Sequence, residues 1–175
     1  MRVNTKRLCE LGLLTAAALI IFVVELWLPN PFPIPGIKLG LANIITVFAV
    51  YRYRAGEVFA VVIARILLGA VFAGNLYAVI YSLSGAALCL AGTLVFRKFI
   101  DERHLWISSV FGAVLHNTGQ LLAAVLLLGT PQILLYWPFL LLSGCLSGFF
   151  TGLCAQLVAK RLKIGSDNSH TIILK

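Results

Sequence analysis

A chain of 175 residues that is 61% hydrophobic and 11% charged, with a mean hydropathy of +1.00, carries less than half of the ~25% charge of a soluble domain. Too few groups remain to hydrate its surface, which excludes a water-soluble globule and points to an integral membrane protein. The excess of base over acid, 14 Lys+Arg against 6 Asp+Glu, would suit nucleic acid, but these residues fall in short clusters between apolar runs, as in loops beside spanning helices, so no nucleic acid is expected.

The start, MRVNTKRLCE, leads into an apolar stretch that resembles a secretion signal. Glu25 and Trp27 stand where a small-residue cleavage site belongs, so Leu8–Leu28 is read as a retained first span. Next comes PNPFPIPGIKLGLAN, Pro29–Asn43, with proline at 29, 31, 33 and 35. Each proline drives its predecessor out of the helical region, so the segment is extended. Backbone without internal hydrogen bonds belongs in water or at the interface. We read it as a semi-rigid lid on the outer side, with Phe32 and Ile34 covering an opening and Lys38 at its mouth. The plainer alternative is a stiff connector. Glu25 lies within reach of this loop, where an ion pair with Lys38 would close it.

The second span is placed at Leu39–Tyr53, short and bounded by YRYR. Val58–Phe96 is too long for one helix, and a break at Gly74-Asn75 divides it into Gly56–Ala73 and Leu76–Phe96. Leu105–Leu128 and Ile133–Ala159 complete six spans, all within one domain over 1–163, followed by a flexible cytoplasmic tail over 164–175. With both termini inside, 12 of the 14 basic residues fall in inner segments, as the positive-inside rule requires. The expected fold is an all-α six-helix membrane bundle in the bacterial cytoplasmic membrane, with lipid around it.

Arg65 sits midway along the third span. A charge there costs at least about 2.5–3.5 kcal/mol, so it faces the bundle interior or a wet cavity, either as a structural pair or as an anion-binding group. His116, Asn117 and Gln120 lie together in LHNTGQ on the fifth span, with His116 and Gln120 on one face. Singly, such residues glue helices together; three within five positions read as a polar pocket wall. Asn75, Tyr77 and Tyr81 mark the outer end of the fourth span, where aromatic residues also serve as interfacial anchors. With Asn43, which ends the proline segment, the candidate substrate site is Lys38, Asn43, Arg65, Asn75, Tyr77, Tyr81, His116, Asn117 and Gln120.

Small residues recur every fourth position: Gly144, Gly148 and Gly152; Gly56, Ala60 and Ala64; Gly12 and Ala16. This spacing lets helix backbones approach closely in lipid. On the first span it would also serve as a docking face for a partner. No catalytic set is expected. The chain contains no Walker phosphate loop, its aspartates, Asp101 and Asp167, are not paired for Mg²⁺, and neither its histidines nor its four cysteines have metal-ligand spacing. No metal or cofactor is expected.

PFPIPGIKLGLANI, Pro31–Ile44, together with LHNTGQL, Leu115–Leu121, resembles the Gx transporter family, which carries the label heptaprenyl diphosphate synthase component I. The similarity runs from about Leu8 to Lys163. That family is in turn similar to the S components of energy-coupling factor (ECF) transporters, with Gly12 and Ala16 standing where S components commonly have paired alanines. The resemblance implies six helices with cytoplasmic ends and a small-molecule pocket in the outer half, capped by the first external loop. It also implies docking of the first helix on a membrane T subunit driven by separate ATPase subunits. The expected function is capture of a small anionic or aromatic metabolite from outside. The alternatives are an accessory subunit of isoprenoid or quinone metabolism and a structural membrane partner of a redox complex.

Overall fold

The computed structural model describes residues 5–27, 40–73, 77–101 and 104–173. Over these residues the chain is helical and has no strand. The helices are α1 (Thr5–Trp27), α2 (Asn43–Arg52), α3 (Ala55–Ala73), α4 (Tyr77–Phe96), α5 (Leu105–Leu128) and α6 (Trp137–Ile173), with a 3-10 segment at Pro131–Tyr136. Five of them are long and apolar enough to cross a membrane.

The exception is α2. Its 10 residues rise about 15 Å, half of the ~30 Å hydrocarbon core. The second segment is therefore shorter than Leu39–Tyr53, and its start explains why. Gly40 adopts a left-handed φ of 69°, and the Asn43 N–H closes a turn on the Gly40 carbonyl at 2.9 Å. The apolar run thus turns before it coils. At the far end Tyr53 is extended, with φ −121° and ψ 166°. The chain then enters α3 directly, and Glu57 caps it by accepting the Arg54 N–H at 2.8 Å.

α3 ends at Ala73 and α4 begins at Tyr77, which brackets the expected break; Gly74 and Asn75 lie outside the described residues. α6 continues to Ile173, through the stretch read as a flexible tail. No proline follows Pro138 to stop it.

α5 is the central helix, held by glycine contacts on both sides. A Cβ on Gly148 would lie 2.7 Å from Val110 Cα, and one on Gly152 would lie 2.5 Å from Trp106 Cα. The Gly144-Gly148-Gly152 face thus seats α6 backbone-to-backbone on α5, and the buried Ser109 and Thr151 hydroxyls bond across the seam at 3.1 Å. On the other side, a Cβ on Gly119 would meet the Ser84 carbonyl of α4 at 2.7 Å. Lipid supplies no hydrophobic drive between helices, so close approach of this kind carries the association.

α1 packs along α3, with Phe22 filling the notch at Gly69, where a Cβ would meet its ring at 2.9 Å. Gly56 meets nothing within 4 Å, and Ala60 is exposed. Two of the three small residues expected to seat α3 therefore face outward, while Ala64 is half-buried. Its buried face runs through Val58, Val62 and Ile66, packed on Ala49, Val50, Ala86 and Leu90.

One end of the bundle is tied by charge. Arg7 forks onto Glu57 at 2.6 and 2.7 Å and lies over the Tyr53 ring at 5.2 Å. The Tyr53 hydroxyl donates to Glu10 at 3.2 Å. Arg97, just past α4, donates to the Val50 carbonyl near the end of α2 at 2.9 Å.

Candidate functional site

α2 begins partway through the bundle, so its first turn opens into the space between α1, α3, α4, α5 and α6. A cavity of about 40 Å³ lies there. By the space one water needs, roughly 10–15 Å³, it holds about three waters.

Of the candidate residues, Asn43, Arg65, His116, Asn117 and Gln120 line this one cavity. Arg65 is 8% exposed, and its buried Nε meets no hydrogen-bond acceptor. A guanidinium carries five N–H donors and no acceptor, so an enclosed one with an unsatisfied donor is a strong unmet demand for an oxygen partner. The positive end of the α2 dipole, at Asn43 beside the cavity, adds positive potential from the same side.

The counter-charge comes from α1. Glu25, half-buried three residues beyond Phe22, lines the cavity. It lies within electrostatic reach of Arg65 and accepts the N–H of Gly40. Among the described residues, Glu25 and Arg65 do not close an ion pair within 4 Å. The two charges look into the same cavity from different walls.

The α5 wall depends on a glycine of α4. A Cβ on Gly85 would come within 2.9 Å of both the Gln120 Cγ and the His116 Cε1, and within 2.8 Å of the His116 carbonyl. Only a bare backbone lets these two side chains lie against α4. Asn117 has another role besides lining the cavity: its Nδ2 donates to the Leu140 carbonyl of α6 at 2.9 Å, fully buried.

The remaining candidates are not among the described lining residues. Tyr81 is half-buried and is not among the lining residues; its neighbour Ser82, one step of about 100° around the helix, takes that place. Lys38, Phe32, Ile34 and Asn75 lie outside the described residues, as does the side chain of Tyr77, the first residue of α4. The proposed lid and its Lys38–Glu25 pair therefore lie there too. Gly12 and Ala16 are exposed on α1, and nothing lies within 4 Å of a Cβ on Gly12.

Sequence reasoning missed Ser82, Ser147 and Phe22 as lining residues, and it assigned Glu25 to the loop instead of the cavity. Glu25 carried a readable signal, an acid inside the last turn of an apolar helix. The serines carried none, since small polar residues serve helix packing equally well. Among the described residues no cluster of three or more His, Cys, Asp or Glu is placed to hold a metal ion.

A family described as heptaprenyl diphosphate synthase component I has a model that matches residues 14–158. No curated protein and no solved structure matches the chain.

Proposed function

We propose, from the premise that the chain belongs to the heptaprenyl diphosphate synthase component I family, that it is a substrate-capture subunit of a membrane transporter rather than an enzyme. It sits in the bacterial cytoplasmic membrane, and its ligand is a small metabolite that presents an anionic group to Arg65. The observation that carries this reading is the enclosed Arg65 guanidinium, whose Nε has no acceptor beside a polar cavity. Intramembrane charges are costly to keep and mark ligand or ion pathways. The α2 geometry supports it as well. A half-length helix that starts beside the cavity turns the positive end of its dipole toward it, where an anionic group is favoured.

In this reading the stretch around the short α2 also carries the chain across, so that six crossings leave both termini in the cytoplasm. Arg7, Arg52, Arg54, Arg97, Lys98, Lys160 and Arg161 then share the inner end, as the positive-inside rule asks. The cavity lies toward the opposite end and is entered from outside. Its present volume suits a few waters or the head group of a ligand, and a vitamin-sized molecule would require the helices around it to part. The ECF-like scheme adds a T subunit docking on the exposed Gly12/Ala16 face of α1, with ATPase subunits supplying the energy.

Mass spectrometry of small molecules retained by the purified protein tests the reading. The wild type is expected to retain one metabolite and to capture T and ATPase subunits from its own membranes. Arg65→Met is expected to lower the metabolite's occupancy at least about tenfold while keeping the wild-type elution profile, the loss of one charge-assisted contact being worth that much. A wild type that retains nothing and recruits no such subunit ends this reading.

The family description favours a second reading, an accessory membrane subunit of a two-component prenyl diphosphate synthase. It predicts a stable complex with a separate synthase and loss of prenyl-chain formation on deletion. Unchanged prenyl products in the deletion strain would remove it.

A further inference from the structure

We infer that the ligand of this cavity is zwitterionic, with an anionic group on Arg65 and a cationic amine on Glu25. The inference rests on the substrate-capture reading and sharpens it.

Its first support is the arrangement of charge. Arg65 and Glu25 line one cavity, with Arg65 inside the field of Glu25, yet no ion pair closes between them among the described residues. Opposite charges in a low-dielectric interior attract strongly and would close on each other if the site served only to neutralise Arg65. Instead Glu25 is held by the Gly40 N–H at the turn before α2, and Arg65 is enclosed on α3 with its Nε unsatisfied. The two charges are kept apart, with a polar gap between.

The second support is charge balance. With histidine counted as neutral, Arg65 and Glu25 sum to zero formal charge across the described part of the cavity, which His116 also lines. A net anion would make the site negative as a whole and lie against the Glu25 carboxylate, where like charges repel. A net cation would do the same against Arg65. A ligand carrying both signs leaves the enclosed charge at zero and satisfies both walls.

The third support is size. Space for about three waters in a cavity of about 40 Å³ suits the head of a small amino acid or a similar dipolar molecule. A flat ring system would require the surrounding helices to part. Ser82, Gln120 and Ser147 offer neutral hydrogen bonds to such a ligand without changing its charge.

The experiment uses the full-length protein in lipid nanodiscs and isothermal titration with matched probes. The zwitterions are glycine, β-alanine and 4-aminobutyrate, which span the unknown separation of the two charges. Each is compared with its carboxylic acid lacking the amine and its amine lacking the acid. At least one zwitterion is expected to bind at least tenfold tighter than both of its partners. Glu25→Gln keeps an acceptor for the Gly40 N–H and is expected to reduce that zwitterion to the level of its matched acid. Arg65→Lys, a second variant that retains the buried charge, is expected to keep the preference for the zwitterion at weaker affinity.

If no zwitterion exceeds its matched acid, silence throughout included, the inference is overturned. It is also overturned if Glu25→Gln tightens the acids and leaves the zwitterions unchanged, which would make Glu25 a resident competitor. Neither result touches the capture reading, which is decided separately by whether the wild type retains a metabolite and recruits its partner subunits.

Discussion

Two side chains lining the same cavity, Asn117 from α5 and Arg65 from α3, illustrate how differently polar groups behave in a membrane protein. Asn117 gives its amide to the Leu140 carbonyl and so joins α5 to α6; Arg65, enclosed, leaves its Nε without an acceptor. Asn117→Ala is therefore expected to behave as a packing variant. It should lose about 0.6 kcal/mol, and at most ~1.7, in a chemical-unfolding titration in detergent, with ligand retention preserved. A loss of ligand at unchanged stability would place Asn117 in the binding set instead. Arg65 was legible from the sequence because one cation in a long apolar stretch stands out against its cost. Asn117 was legible only as one of a polar trio, and nothing in LHNTGQ reveals which member faces the neighbouring helix. Gly85 was not legible at all. It shapes the wall by what it lacks, and SLSGAAL reads the same whether that gap receives a side chain or a backbone.

Among the elements, α2 departs furthest from its sequence reading. The apolar character runs on through Gly40, Leu41 and Ala42, so composition alone extends the segment, whereas the left-handed Gly40 and the turn onto Asn43 stop it. Hydropathy has no access to φ, and a glycine is only permissive of such a turn. Gly40→Ala places a Cβ in that conformation, at a cost of about 1–2 kcal/mol, and brings it within 3.2 Å of the Asn43 Nδ2. The expected outcome is a destabilised protein, read by thermal unfolding, with weakened retention of ligand because the Gly40 N–H also positions Glu25. Wild-type stability would mean that the turn relaxes freely. The α5–α6 pairing, by contrast, could be read directly, because glycine at every fourth position on a helix has few other uses in lipid. The same pattern on α3 misled, since Gly56 and Ala60 point away from the bundle. Spacing identifies a smooth face without saying which neighbour it meets.

For the whole molecule, the distribution of base along the chain read the overall architecture better than any single segment did. Clusters at Arg7, Arg52–Arg54, Arg97-Lys98 and Lys160-Arg161 divide the apolar runs, and the helices turn at the middle two, while α6 runs on through the last. Cysteine-scanning tests the proposed orientation. In a background with Cys9, Cys89, Cys145 and Cys154 replaced, Gly129→Cys is expected to react with a membrane-impermeant maleimide on intact cells, and Lys98→Cys only after permeabilisation. The opposite pattern would invert the topology and move the cavity mouth to the cytoplasmic side. The size and depth of the cavity were not readable, because they depend on where five helices diverge, and no local signal encodes that divergence.

The uneven fastening of the bundle has a mechanical consequence. α4, α5 and α6 are seated on one another by glycines along much of their length, whereas the feet of α1, α2 and α3 are joined by the Arg7–Glu57 fork and the Tyr53–Glu10 bond at the basic end. From Arg7 to Glu25, α1 makes a lever roughly 27 Å long with its pivot at that fork. A tilt of about 10° there would swing the Glu25 end by roughly 5 Å over that length. A movement of that size would leave the salt bridge closed and would draw Phe22 from the Gly69 notch and Glu25 from the Gly40 N–H, so those two contacts are the latch of the far end.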